Sequence, residues 1–256
     1  MTQKLALALV SVALVVSACG SDGSDTDSGA GSEKSTLTVL AASSLTEAFT
    51  ELEKTFEEAN PQVDVKLSFD SSAILAEQLS QGLEADVLAT ADEKSMDKAV
   101  SADVVSGDPV AFATNTLVIA TPAGNPAGIK GIDDLADADF AICVPAAPCG
   151  DAAKRLFELD QFTGKPATEE ENVKGVLTKV TAGEVDAGLV YVSDAKAAGD
   201  KVDVVQAENA SEVVNVDPIA MVKGSKNTGA AKDWIALVTG PDGQKLLESY
   251  GFGPAA

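Results

Sequence analysis

Near its start the chain runs twice from an apolar strand through a serine turn into an amphipathic helix, and that repetition limits the folds open to it. Leu37 to Ala42 is a short apolar run suited to a buried strand. Ser43-Ser44 follow, and Leu45, Ala48, Phe49, Leu52 and Phe56 then recur at helical spacing until Asn60-Pro61 stops them. Val63, Val65, Leu67 and Phe69 alternate as a second strand, Asp70-Ser71-Ser72 make the turn, and Ile74, Leu75, Leu79 and Leu83 mark the second helix. Val87 to Ala89 begin another such unit, with a helix through Met96 and Val100. This alternation predicts an α/β fold: a mainly parallel sheet with helices on both faces, where ligands sit at the carboxyl ends of strands. Ser44 and Glu47 have capping-box spacing, the serine oxygen serving an orphan helix N–H and the glutamate reaching back. Taken alone this is an ordinary N-cap, although the free donors and partial positive charge of a helix start also suit an anion.

From Pro109 the texture changes, and a second α/β unit spans roughly Thr114 to Asn215. Its strands are Leu117 to Ala120, Phe140 to Val144, and Ala187 to Val192 with Tyr191 at the end. Its helices carry Ala152, Ala153, Leu156 and Phe157 on one face, then Val173, Val176, Leu177 and Val180. Ile219 to Val222 give a further strand, and Trp234, Leu237, Val238, Leu246 and Leu247 belong to two closing helices. With 256 residues, 45% of them hydrophobic, the chain is long enough for one large domain or two lobes.

The N-terminus is processing sequence rather than fold. Lys4 followed by Leu5 to Ala18 has the charged and apolar regions of a signal peptide and is too short to span a bilayer. The small residues Val16-Ser17-Ala18 before Cys19 resemble a bacterial lipobox, which implies cleavage before Cys19 and a diacylglyceryl group on its sulfur. Two acyl chains suffice for stable anchoring, and Ser21 to Ser35, rich in Ser, Gly and Asp, would be a flexible tether. The net charge of −22, one unit more negative once Lys4 is removed, argues against nucleic acid and against adsorption to anionic lipid. The chain has no histidine, so Ser-His and Cys-His catalysis and His-ligated metals are excluded. Cys143 and Cys149 remain in an oxidising compartment, where a disulfide is the expected state and two free thiols the other. The short loop would gain only roughly 2 kcal/mol from the bond.

Together LTVLAASSLTEAF, VKLSFDSSAILAEQL, ADVLATADEKSMDKAV, TNTLVIATPAG, ENVKGVL, AGLVYVSDA and ESYGFG resemble the molybdate-binding proteins of bacterial ABC importers, over Leu37 to about Gly253. The resemblance implies a type II periplasmic-binding-protein fold, in which two α/β lobes joined by a two-strand hinge close on a tetrahedral oxyanion. It divides the chain into a signal peptide (1–18), a lipidated tether (19–35), lobe one (36–113), lobe two (114–214) and a return to lobe one (215–256). The hinge crossings would lie near Thr114 and near Val216 to Pro218. Carried over position by position, the oxyanion shell would be the hydroxyls of Ser44, Ser72 and Tyr191 and the main-chain N–H groups of Cys149 and Val173. All five contacts would be neutral donors, with molybdenum bound only as molybdate, without direct protein ligands, and no cofactor besides. Cys149 stands where a small apolar residue is common, which a backbone contact tolerates.

The same resemblance implies a monomeric receptor on the outer face of the cytoplasmic membrane. It would bind molybdate, and tungstate of similar size and charge, and hand it to a permease with its cytoplasmic ATPase. Asp70, two residues before Ser72, is expected to point to solvent. Facing the cleft instead, it would repel a dianion and welcome a ligand carrying a proton, such as hydrogen phosphate. Sulfate or phosphate binding on the same fold is the nearest alternative. A secreted Ser-Lys hydrolase is more remote, since Lys54 and Lys66 lie on other elements than the serines, and an adhesin on a lipid tether is a third option.

Overall fold

The computed structural model describes residues 34–255, so the signal peptide, Cys19 and nearly all of the tether fall outside the described residues. Along the chain the elements are β1 (Ser35–Ala42), α1 (Thr46–Ala59), β2 (Val63–Asp70), α2 (Ser72–Ser80), β3 (Val87–Ala89), α3 (Glu93–Ser101) and β4 (Val105–Asn115). Next come β5 (Leu117–Pro122), β6 (Phe140–Cys143), α4 (Pro148–Leu159), β7 (Thr168–Glu170), α5 (Val173–Thr181), β8 (Ala187–Tyr191), α6 (Val192–Ala198) and β9 (Val202–Val205). The chain closes with β10 (Asn215–Val222), α7 (Thr228–Thr239), α8 (Pro241–Ser249) and β11 (Gly253–Pro254).

Two mixed sheets result. The first has the order β11-β4-β10-β3-β1-β2 and the second β7-β6-β8-β5-β9. Each is parallel through its β-α-β units and antiparallel where the chain crosses between sheets or returns. The chain leaves the first sheet at Asn115 and re-enters it at Asn215, and these two residues are paired across antiparallel β4 and β10. The lobes are thus joined by two hydrogen-bonded strands.

Each lobe buries its own core. In the first, α1 packs on α7 through Trp234, whose ring meets Phe49 and Phe56 edge-on at 5.6 and 5.4 Å. In the second, Phe140, Leu156, Val176 and Leu189 pack between sheet and helices. The turn from β6 into α4 is drawn tight, because Cys143 and Cys149 are joined by a disulfide with their Cα atoms 5.6 Å apart. Gly150 is pressed against the same turn: a Cβ there would lie 2.0 Å from the Val144 carbonyl oxygen and 2.7 Å from that of Cys143. Only glycine lets the start of α4 approach the end of β6 this closely. Gly150→Ala should therefore destabilise the fold by about 1–3 kcal/mol, the usual range for overpacking, read as a lower urea midpoint with an unchanged slope.

Candidate functional site

The carboxyl ends of β1, β2 and β8 and the first turns of α2, α4 and α5 meet at one small cavity between the lobes. Its wall holds Ser44, Asp70 and Ser72 from the first lobe and Cys149, Asn172, Val173 and Tyr191 from the second. All five residues of the expected shell are therefore brought together. The cavity is very small, with about 10 Å³ open to the centre of a water-sized sphere, against the roughly 300–1,000 Å³ of ordinary small-molecule pockets. It suits only a very small, compact ligand.

Ser44 does not cap a helix. It lies inside a 3-10 turn (Ser43–Leu45) whose N-cap is Ala42, while the N-cap of α1 is Leu45, and neither makes a side-chain capping bond. Its hydroxyl is buried and has no hydrogen-bond partner among the described residues. Glu47 does not reach back either, because its carboxylate accepts from Lys174 Nζ of the other lobe at 2.6 Å. The capping-box expectation fails because the tight turn moves Ser44 into the helical path and an ion pair holds Glu47. A buried hydroxyl left unbonded costs about 1–3 kcal/mol, so it marks a place where a partner is expected.

The other two hydroxyls are partly bonded, and in one sense only. Ser72 Oγ accepts from the Ala91 N–H at 2.9 Å. Tyr191 Oη accepts from Asn215 Nδ2 at 2.9 Å. Each oxygen is thus held by a donor and keeps its own hydrogen to give. Burial raises the Tyr191 phenol well above the usual tyrosine range, with Asp217 adding to the shift, so it stays a neutral donor at physiological pH. Val173 opens α5 and Cys149 is the second residue of α4, positions whose N–H groups have no carbonyl partner within the helix. Helix starts from both lobes therefore aim partial positive charge at the same cavity.

Asp70 corrects an expectation. It lines the cavity rather than pointing to solvent, and its Oδ1 accepts from the Ser71 N–H at 2.7 Å and from Asn172 Nδ2 at 3.2 Å. Asn172 in turn caps α5 through Gly175 N–H, so one side chain ties the helix bearing Val173 to the turn bearing Ser72. Position in sequence could not reveal this, because the partner lies on the other lobe.

Two ion pairs also span the lobes, Lys94 to Asp151 at 2.6 Å and Lys174 to Glu47 at 2.6 Å. Lys174 further contacts the fully buried Asp194 at 2.9 Å. Burial works to lower the Lys174 ammonium, but Asp194 and Glu47 outweigh it and hold its pKa above the ordinary lysine value. Burial pushes the Asp194 carboxyl up. Lys174 stands beside Val173 in the sequence, yet its charge is committed to these carboxylates. Behind the site, Asp217 lies on β10 opposite Ala113 of β4. It is fully buried and neither carboxylate oxygen has a partner among the described residues.

A family model described as bacterial extracellular solute-binding protein matches residues 37–253. The molybdate-binding protein ModA of Mycobacterium tuberculosis is 41% identical over 97% of each chain. ModA of Escherichia coli is 32% identical over 84% of this chain and 88% of its own. The periplasmic molybdate-binding protein of Azotobacter vinelandii superposes with a TM-score of 0.75 at 19% identity, covering 86% of this chain and 100% of that one, a likeness of fold.

Asp217 gives this site a pH signature. Burial raises its carboxyl well above the ordinary value, with Asp92 and Asp194 adding to the shift. The folded protein keeps a proton that the unfolded chain has released, so this group's stabilising contribution is complete at low pH and is lost as pH rises through the raised pKa. Asp217→Asn should remove that loss. Urea midpoints taken at about pH 5 and about pH 8 should differ less in the variant than in the unaltered protein, with the variant the more stable at the higher pH.

Proposed function

The chain belongs to the family of bacterial extracellular solute-binding proteins, and on that premise we propose that it is the molybdate receptor of an ABC importer. The observation that carries the reading is the buried, unbonded hydroxyl of Ser44. It faces the same cavity as two hydroxyls whose oxygens are already held by donors, Ser72 and Tyr191. With the N–H groups of Cys149 and Val173, the shell offers five hydrogens to one small guest. A fully deprotonated tetrahedral oxyanion is the guest that accepts from every side.

Neutral donors suffice for a dianion. Hydrogen bonds to an ionised acceptor are stronger than neutral ones, contributing about 1.5–3 kcal/mol each, and helix starts supply partial positive charge. The bulk charge of −22 acts from farther away and is screened over a Debye length of roughly 8–10 Å. Donors from both lobes are satisfied together only when the lobes are closed, so the ligand shifts an open–closed equilibrium. Tungstate, of similar size and charge, fits the same shell. We place the receptor outside the cytoplasmic membrane, held by lipid on Cys19, from which it delivers its ligand to a permease driven by a cytoplasmic ATPase. Among the described residues no helix is long and apolar enough to cross a membrane. No bond is made or broken by the chain in this role.

One observation favours a second reading. Asp70 puts a carboxylate in the cavity wall, and an acceptor there suits hydrogen phosphate.

Titration calorimetry of the purified protein with molybdate, tungstate, sulfate and phosphate separates these readings. Molybdate and tungstate should bind and phosphate should not; phosphate binding that is lost in Asp70→Asn would establish the second reading. Ser44→Ala and Ser72→Ala should each weaken molybdate by about 1.5–3 kcal/mol, roughly 10- to 100-fold, and together abolish measurable binding with the fold intact. Undiminished affinity in the double variant would place the site elsewhere.

A further inference from the structure

Asn215 opens β10 where the chain re-enters the first lobe, and its buried side-chain amide makes three hydrogen bonds to three different parts of the structure. Its Oδ1 accepts from Arg155 Nη2 at 2.8 Å. Its Nδ2 donates to the Ala91 carbonyl oxygen at 2.9 Å and to Tyr191 Oη at 2.9 Å. An amide oxygen and nitrogen are easily interchanged, but here the neighbours decide. Arginine can only donate and a carbonyl can only accept, so the oxygen must face Arg155 and the NH2 must face Ala91. Both amide hydrogens are then committed, and the second goes to the tyrosine oxygen.

We propose that Asn215 is a positioning residue for the oxyanion site, which directs the Tyr191 hydroxyl hydrogen into the cavity. The Asn215 group that faces the phenol is the NH2, which cannot accept that hydrogen, so the phenol must give it elsewhere. The same amide anchors residue 91 through its carbonyl, and the Ala91 N–H, one peptide unit earlier, donates to Ser72 Oγ. One side chain at the hinge therefore sets the donor sense of the Tyr191 hydroxyl and braces the residue whose N–H meets Ser72. Arg155, braced by Asp151 at 3.2 Å, holds the amide in this orientation. The inference rests on the reading of the cavity as an oxyanion site and adds a residue that does not line it.

The test compares two substitutions by calorimetry with molybdate. Asn215→Asp keeps the shape and the Arg155 contact but presents only acceptors, so the Tyr191 hydroxyl turns toward it and away from the ligand. Asn215→Leu removes the donor without adding a charge. Molybdate affinity should fall about 100-fold in Asn215→Asp and about tenfold in Asn215→Leu, while each variant still unfolds in a single cooperative thermal transition, lowered in the aspartate variant by the lost bond to the Ala91 carbonyl. A role through Tyr191 also requires non-additivity: in a Tyr191→Phe background, Asn215→Leu should cost no more than about threefold. A purely structural role would make the two losses multiply, and that result, or affinities within twofold of the unaltered protein, would overturn the proposal. If the unaltered protein bound no oxyanion at all, the reading of the cavity itself would fall, and this inference with it.

Discussion

A hydroxyl group can give a hydrogen or receive one, and the site depends on removing that choice. Ser72 and Tyr191 are each approached on oxygen by a donor, the Ala91 N–H and the Asn215 amide. Ser44 is buried with no partner at all among the described residues. Left to itself, a serine or threonine hydroxyl pairs with a nearby carbonyl, as Thr50 and Ser80 do within their own helices. The three cavity hydroxyls are denied that outlet and so present hydrogens to the ligand. Because the three come from two lobes, the constraint extends to the hinge, the disulfide-bound turn and the contacts that hold the lobes together.

Electrostatics around the cavity work by distance. Most carboxylates are solvated and far away, while helix starts and oriented dipoles act within bonding range. The charged groups nearest the cleft are neutralised in pairs that also tie the lobes, Lys174 with Glu47 and Lys94 with Asp151. Asp70 is the exception, since its partners are an N–H and an amide rather than a cation. It gives the cavity wall a carboxylate, unlike the other side chains that line it, and its bond to Asn172 makes it part of the closure itself.

Much of the architecture was legible in the sequence. Strand and helix periods place β1 to β3, β5, β6, β8 and β10 correctly, along with the helices that flank them, because each buries an apolar face of its own period. Among the elements that escaped, β7 is Thr168–Glu170, without apolar alternation, β9 is the four residues Val202–Val205, β11 is two residues, and α6 follows Tyr191 with little to mark it. At the site, Ser44, Ser72, Cys149, Val173 and Tyr191 were reachable because they belong to motifs contiguous in sequence. Asn215, Lys174 and the inward Asp70 were not, since each is defined by a partner at least 24 residues away in the chain.

By itself, then, the sequence determined the α/β class, the division into two units and the positions where helix starts follow strands. These are local consequences of hydrophobic period and turn chemistry. It did not determine which way a polar side chain faces. That choice is made by competition between solvent, the chain's own helix and groups on the opposite lobe, and only the tertiary structure supplies the last of these. Glu47 abandons a cap for Lys174, Asp70 turns inward to Asn172, and Asn215 spans Arg155, Ala91 and Tyr191. For Glu47 the long-range partner displaces the local one, because a charge-assisted bond is worth more than an exposed contact, while Asp70 keeps its local bond to the Ser71 N–H and adds the distant one.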